Sequence, residues 1–182
     1  MLAGKTALVT GASRGTGRGI AQRLTQDGAL VAVHFREDES AAEETLEAIR
    51  DSGGRAFAIQ ADLGAPGGAE RLYDRFDAGV TRYGTSPGLD ILVNNAGVSG
   101  SARIDEVTPG LFDRIFAVNT KSLVFMAQQA LKRMPDGGRI INISSAVTRI
   151  AYPESLVCSM SKGRSTPSPW HWPRKSGRAP SR

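Results

Sequence analysis

Short apolar runs alternate along the chain with longer segments whose apolar positions recur every three or four residues. Lys5 to Thr10 reads as a buried strand ending in a glycine-rich turn. Gly17 to Asp27 carries Ile20, Ala21 and Leu24 at helical spacing and stops at Gly28, a helix-ending residue. Leu30 to Phe35 is a second strand. Asp38 to Arg50 is a second helix, with Ala41, Ala42, Thr45, Leu46 and Ile49 on one face and Gly53-Gly54 closing it. Arg55 to Gln60 is a third strand, and Gly68 to Arg82 a third helix with Leu72, Phe76 and Val80 four residues apart. Leu89 to Val93 is a fourth strand. A loop with a short helix leads to a long helix, roughly Pro109 to Met134, and Gly138 to Ile143 is a fifth strand. Strands of continuous apolar character separated by helices predict a parallel sheet covered on both faces. Right-handed crossovers make this a doubly wound α/β fold, a Rossmann sheet with expected strand order 3-2-1-4-5.

Composition narrows the class. The 182 residues suffice for one domain. Hydrophobic residues at 40% and charged residues at 23% fit a water-soluble globular chain. A single cysteine excludes an internal disulfide framework and points to a reducing, cytoplasmic setting. No apolar run is long enough for a membrane span, no secretion signal is visible, and no metal is expected. The net charge of +5 suggests nucleic acid at first sight, but it is unevenly placed. Arg164, Arg174, Lys175, Arg178 and Arg182 stand in a stretch without acidic residues, and the rest of the chain is balanced. Neither nucleic acid nor membrane is therefore an expected partner of the body.

The chemistry sits at the strand ends. Thr10-Gly11-Ala12-Ser13-Arg14-Gly15-Thr16-Gly17 places three glycines between a strand and a helix. Glycines there permit a tight turn and the close approach of a diphosphate, and the helix end offers free N–H groups and positive dipole. Further along come Asp62-Leu63 after the third strand and Asn94-Asn95-Ala96-Gly97 after the fourth. Asn119 lies on the long helix, Ser144-Ser145 end the fifth strand, and Ser159-Met160-Ser161-Lys162-Gly163 follow. In this order, over about Lys5 to Gly163, these motifs resemble the short-chain dehydrogenase/reductase family. Within it the body is most similar to the 3-oxoacyl-carrier-protein-reductase-like branch.

The resemblance implies a dinucleotide site made by Gly11, Ser13, Arg14, Gly15, Thr16, Gly17, Arg36, Asp62, Leu63, Asn95, Ala96, Gly97 and Lys162. Where NAD-preferring members keep an aspartate after the second strand, this chain has Phe35 followed by Arg36. Guanidinium groups at Arg14 and Arg36 suit a ribose 2′-phosphate, so NADP is expected over NAD. The family's reaction is hydride transfer between the cofactor and a small-molecule carbonyl or alcohol. Its catalytic set maps to Asn119, Ser145, Cys158 and Lys162. The family's tyrosine acid/base, four residues before the lysine, is replaced by Cys158, whose side chain is too short to reach the same substrate oxygen. General acid/base catalysis contributes about 10²–10⁴-fold, so turnover is expected to be impaired. A non-catalytic dinucleotide-binding remnant is the alternative, and a binding module acting through the basic tail is a third reading.

Residues 1–163 thus read as an incomplete dinucleotide-binding domain, and 164–182 as a disordered tail. Pro167, Pro169 and Pro173 forbid the helix that the family continues there. Trp170-His171-Trp172-Pro173 must be encoded TGG-CAY-TGG-CCN, which one base earlier reads Leu/Met/Val-Ala-Leu-Ala, an apolar helical pattern. A one-base frame change near the codon of Gly163 accounts for both the tail and its basic excess. The family commonly forms homotetramers through the long helix and the helix after the lysine, so assembly is expected to be compromised.

Overall fold

The strands form where small and branched apolar residues run together, and their alternation sorts the core onto two faces. In the computed structural model, which describes residues 1–84, 88–150 and 152–163, five strands make one parallel sheet. They are β1 (Thr6–Val9), β2 (Leu30–Phe35), β3 (Arg55–Gln60), β4 (Ile91–Asn94) and β5 (Arg139–Asn142). Their order is β3-β2-β1-β4-β5, as the pattern predicts. The register pairs Val9 with Val33 and with Val93, so β2 runs two residues and β4 one residue past the end of β1.

Among the described residues six α-helices connect and cover the strands: α1 (Gly15–Gln26), α2 (Glu39–Asp51), α3 (Gly68–Arg82), α4 (Pro109–Phe116), α5 (Ser122–Leu131) and α6 (Leu156–Gly163). Ala7, Val9, Val31, Val33 and Val93 point to one face and pack with Ala21 of α1 and Ile49 of α2. Leu8, Ala32, Leu92 and Ile59 point to the other and pack with Leu72, Tyr73 and Phe76 of α3 and Met126 and Ala130 of α5. Arg133 closes the second layer. Its guanidinium meets Asp77 at 2.7 Å and lies 4.8 Å from the Tyr73 ring centre. A third, smaller cluster joins Ile115 of α4 to Val157 and Cys158 of α6, with Val98, Leu111, Phe112 and Val147 against it.

Two differences from the sequence pattern bear on the site. The predicted long helix is interrupted: residues Ala117–Lys121 form one wide π turn between α4 and α5. Periodicity alone hides this, because a single wide turn shifts the apolar phase without breaking it. The first helix starts at Gly15 rather than Gly17, its first residue holding φ +57 as the turn leads into the helix. The expectations for 164–182, disorder and the frame change, lie outside the described residues. β5 is an edge strand whose Ile141 stays 46% exposed.

Candidate functional site

Because β2 and β4 flank β1 while their following helices pass to opposite faces, the strand ends part and leave a crevice. A cleft of about 480 Å³ opens there, lined by the β1–α1 turn, the ends of β2 and β3, and the loop after β4. A second hollow of about 460 Å³ shares Arg36, Asp62, Arg114 and Val118 with it.

The β1–α1 turn is held from three sides. Asn95 donates its side-chain amide to the carbonyls of Thr10 and Gly11, each at 2.9 Å. The Thr10 hydroxyl accepts from the N–H groups of Asn95 at 3.0 Å and Ala96 at 2.9 Å. On the α2 side, the Ser13 carbonyl accepts from the Arg18 guanidinium at 2.9 Å and from the buried Thr45 hydroxyl at 2.9 Å. From below, His34 accepts from the Gly11 N–H at 3.0 Å. The close packing requires glycine. Gly11 has φ +61, and a Cβ on it would stand 2.9 Å from Ala96 Cα. A Cβ on Gly17 would strike the Gly11 carbonyl and the Asn95 amide. Gly15, in contrast, faces open space. No side chain caps the N-terminus of α1 and its first turn holds no acidic residue, so its N–H groups remain available to an anion.

At the β2 end, Phe35 is buried and Arg36 and Arg14 reach the cleft rim. Arg36 pairs with Glu37 at 2.8 Å, and Arg14 approaches Asp38 at 3.8 Å. Both pairs are substantially exposed and are worth little individually, so an incoming anion can compete for the guanidinium groups. Asp62 and Leu63 follow β3 on the same cleft wall, with Asp62 accepting from the Gly64 N–H at 2.8 Å. Asn95, Ala96 and Gly97 form the wall after β4.

Asn119, Lys162 and Gly97 meet at the other end. The π turn aims Asn119 inward, where it is 1% exposed. Its amide pairs with both the N–H and the carbonyl of Val98, each at 2.9 Å, and donates to the Ser161 hydroxyl at 3.0 Å. A Cβ on Gly97 would lie 3.3 Å from Lys162 Nζ and 3.4 Å from Asn119 Oδ1, so a side chain there would fill this corner. Lys162 donates to the Ile143 carbonyl at 3.3 Å, and burial pulls its ammonium below the usual lysine range, with Cys158 opposing. Ser145 caps a short turn after β5, accepting from Val147 N–H at 3.4 Å. Cys158 is buried within the third apolar cluster, its thiol 4.0 Å from the Val98 carbonyl. It lies one helical turn from Lys162 on the same face of α6.

His34, Thr10 and Ser161 carry much of this geometry and were not singled out from sequence. The one legible signal is a polar residue inside a fully buried strand, which must find partners. Among the described residues no group of three or more His, Cys, Asp or Glu could hold a metal. No helix among them is long and apolar enough to cross a membrane.

Comparison with known proteins agrees with this arrangement. Residues 5–165 match the family model described as short chain dehydrogenase. The chain is 44% identical over 162 residues to an uncharacterized oxidoreductase of Methylorubrum extorquens, covering 89% of this chain and 63% of that protein. It is 42% identical over 163 residues to a versicolorin reductase of Emericella nidulans, covering 89% and 60%. Among solved structures, the angucycline C-6 ketoreductase LanV with bound NADP superposes with a TM-score of 0.88 at 52% identity, over 90% of this chain and 64% of that one. The chain thus spans 60–63% of the length of these two curated relatives.

Proposed function

The chain belongs to the short-chain dehydrogenase family, and on that premise we propose that it binds NADP(H) in the cleft at the sheet's C-terminal edge, as a ketoreductase-type chain with an impaired proton-transfer group. The observation that carries this reading is the pre-formed turn, clamped by Asn95, Thr10, His34 and Thr45, with two arginines at the cleft rim. The residues present fit the cofactor: a turn that has no room for a side chain at Gly11 and Gly17, uncapped helix N–H groups and cationic side chains where a 2′-phosphate would lie. The bound cofactor would supply the hydride. The α1 N-terminus would hold its diphosphate, Arg14 and Arg36 the 2′-phosphate, and Asp62 and Leu63 the adenine. Lys162 and Asn119, both beside Gly97, would orient the nicotinamide ribose and a proton path. Ser145 would hydrogen-bond a carbonyl oxygen, and Cys158 occupies the position from which a proton must be delivered.

The relatives include a versicolorin reductase and an angucycline C-6 ketoreductase, so ketones of those kinds are the substrates to test. A cytoplasmic setting fits the single cysteine. Val124 and Phe125, 63% and 38% exposed on α5, support self-association through that helix. The second reading, a dinucleotide-binding chain without turnover, draws on the apolar surroundings of Cys158.

Fluorescence titration with NADPH and NADH, followed by ketone reduction with the unaltered chain and with Cys158→Tyr, tests the proposal. Saturable binding with preference for NADPH is expected, with turnover appearing or rising in the tyrosine variant. Absence of binding to either cofactor sinks the proposal. Binding with no turnover even in the tyrosine variant favours the second reading.

A further inference from the structure

Among the described residues, buried His34 joins the diphosphate turn to the segment that carries Asp62 through its side chain. It lies in β2, 3% exposed, with β1 and β3 on either side. Its Nδ1 accepts from the Gly11 N–H at 3.0 Å, and its Nε2 lies 3.0 Å from the Ala61 carbonyl, immediately before Asp62. A carbonyl only accepts, so Nε2 carries the proton and Nδ1 does not; the two partners select one neutral tautomer. The main chain repeats the link, since Ala12 N–H donates to the His34 carbonyl at 2.8 Å and Ala61 N–H to the Phe35 carbonyl at 3.0 Å.

We infer that His34 is a positioning residue for cofactor binding, fixing the distance between the diphosphate turn and the adenine wall through its two ring nitrogens. The inference rests on the cofactor reading above and deepens it. By engaging the Gly11 N–H, the imidazole settles how the turn is tipped and leaves the α1 N-terminus as the donor set facing the ligand. By engaging Ala61, it places Asp62 at a set height on the opposite wall. Without it, a buried N–H and a buried carbonyl lose their partners, and both walls can shift.

Charge state supports the geometry. Burial pulls the imidazole from 6.5 to about 4, while the Ala61 carbonyl and Asp62 pull the other way. The other charged groups on the same cleft are Arg14 in the turn, Arg36, Glu37 and Asp38 after β2, and Arg114 on α4. Protonation would remove the acceptor at Nδ1 and turn Gly11 N–H against a second donor.

The test uses the full chain and oxidised NADP, which tolerates acid, with affinity read by calorimetry from pH 8 to pH 4.5. Asn can present an acceptor where Nδ1 lies, Gln a donor where Nε2 lies, and Leu neither. His34→Leu is expected to weaken binding about tenfold or more. His34→Asn is expected to stay within about threefold of the unaltered chain at pH 8 and to lack its extra weakening in acid. Comparing the two curves removes the titration of the cofactor's own phosphate. Unchanged affinity in a folded His34→Leu overturns the inference, as does an Asn variant as weak as Leu. Should the Leu variant not fold, Asn binding more tightly than Gln supports it, and equality or reversal overturns it. An unaltered chain that binds no NADP overturns this inference together with the cofactor reading. An unaltered chain that binds while all variants match it overturns this inference alone.

Discussion

Around the β1–α1 turn, the polar groups that shape the loop are paired beneath it, by Asn95, Thr10, His34, Arg18 and Thr45, before any ligand arrives. Around Cys158 the surroundings are mainly apolar, with the Val98 carbonyl 4.0 Å from the thiol and Lys162 one turn along the same helix. The first region depends on backbone geometry, which a run of glycines and one asparagine can specify. The second depends on the reach and acidity of a single side chain. A backbone cradle survives most substitutions around it, whereas a proton-transfer position is changed by one residue. On the proposed reading, this contrast lets a chain keep a cofactor cleft beside a corner whose proton-transfer position has changed.

The contrast breaks most sharply at Cys158. Replacing it with tyrosine should raise ketone reduction by about 10²–10⁴-fold, the usual worth of a general acid, with NADPH affinity nearly unchanged. NADPH consumption monitored by absorbance checks this, and a flat result would place the fault elsewhere in the corner.

The cradle should fail through shape. Gly17→Val drives a branched side chain into the Gly11 carbonyl and Asn95. Overpacking of this kind costs about 1–3 kcal/mol, so NADPH binding should weaken about tenfold to hundredfold. Isothermal titration reads the change, and wild-type affinity in this variant would show that the turn is not rigid.

A smaller and more selective effect is expected at the rim. Arg36→Ala removes a guanidinium held only by an exposed pair with Glu37. NADPH should lose about tenfold in affinity and NADH almost nothing. Equal losses for both cofactors would mean that Arg36 does not meet the 2′-phosphate.

A further effect concerns stability against pH. His34 titrates near 6.5 when unfolded and near 4 when folded. Between those values the unfolded chain takes up more protons, so stability declines as pH falls from about 6.5 to 4 and levels off below. Urea midpoints measured across this window should show a slope that is reduced in His34→Asn. A slope identical in both would assign the acid sensitivity to other groups.

Much of the fold is legible in the sequence alone. Valine, leucine and alanine runs at β1, β2 and β4 specify strands buried on both faces, and the helical spacing of Leu72, Phe76 and Val80 places α3 correctly. The glycine turn and Asn95 announced the cradle, because backbone requirements leave a local trace in sequence. His34 left almost none. Its partners Gly11 and Ala61 are distant in the chain and offer backbone atoms, which no side-chain pattern reveals. The surroundings of Cys158 were equally hidden, since Ile115, Val98 and Val147 converge on it from three separate segments.

The wide turn at Ala117–Lys121 has a consequence for how this helix tolerates length changes. Each residue advances an α-helix by about 100°, so one residue gained or lost rotates everything downstream by more than a quarter of a revolution. The wide turn stores one such residue. Deleting one residue between 117 and 121 would let the turn become regular α-helix with Met126 and Ala130 still on the sheet they now cover, and would displace Asn119. Straightening the turn without a deletion would instead rotate that core face away, so the irregularity is what keeps both the asparagine and the core in phase.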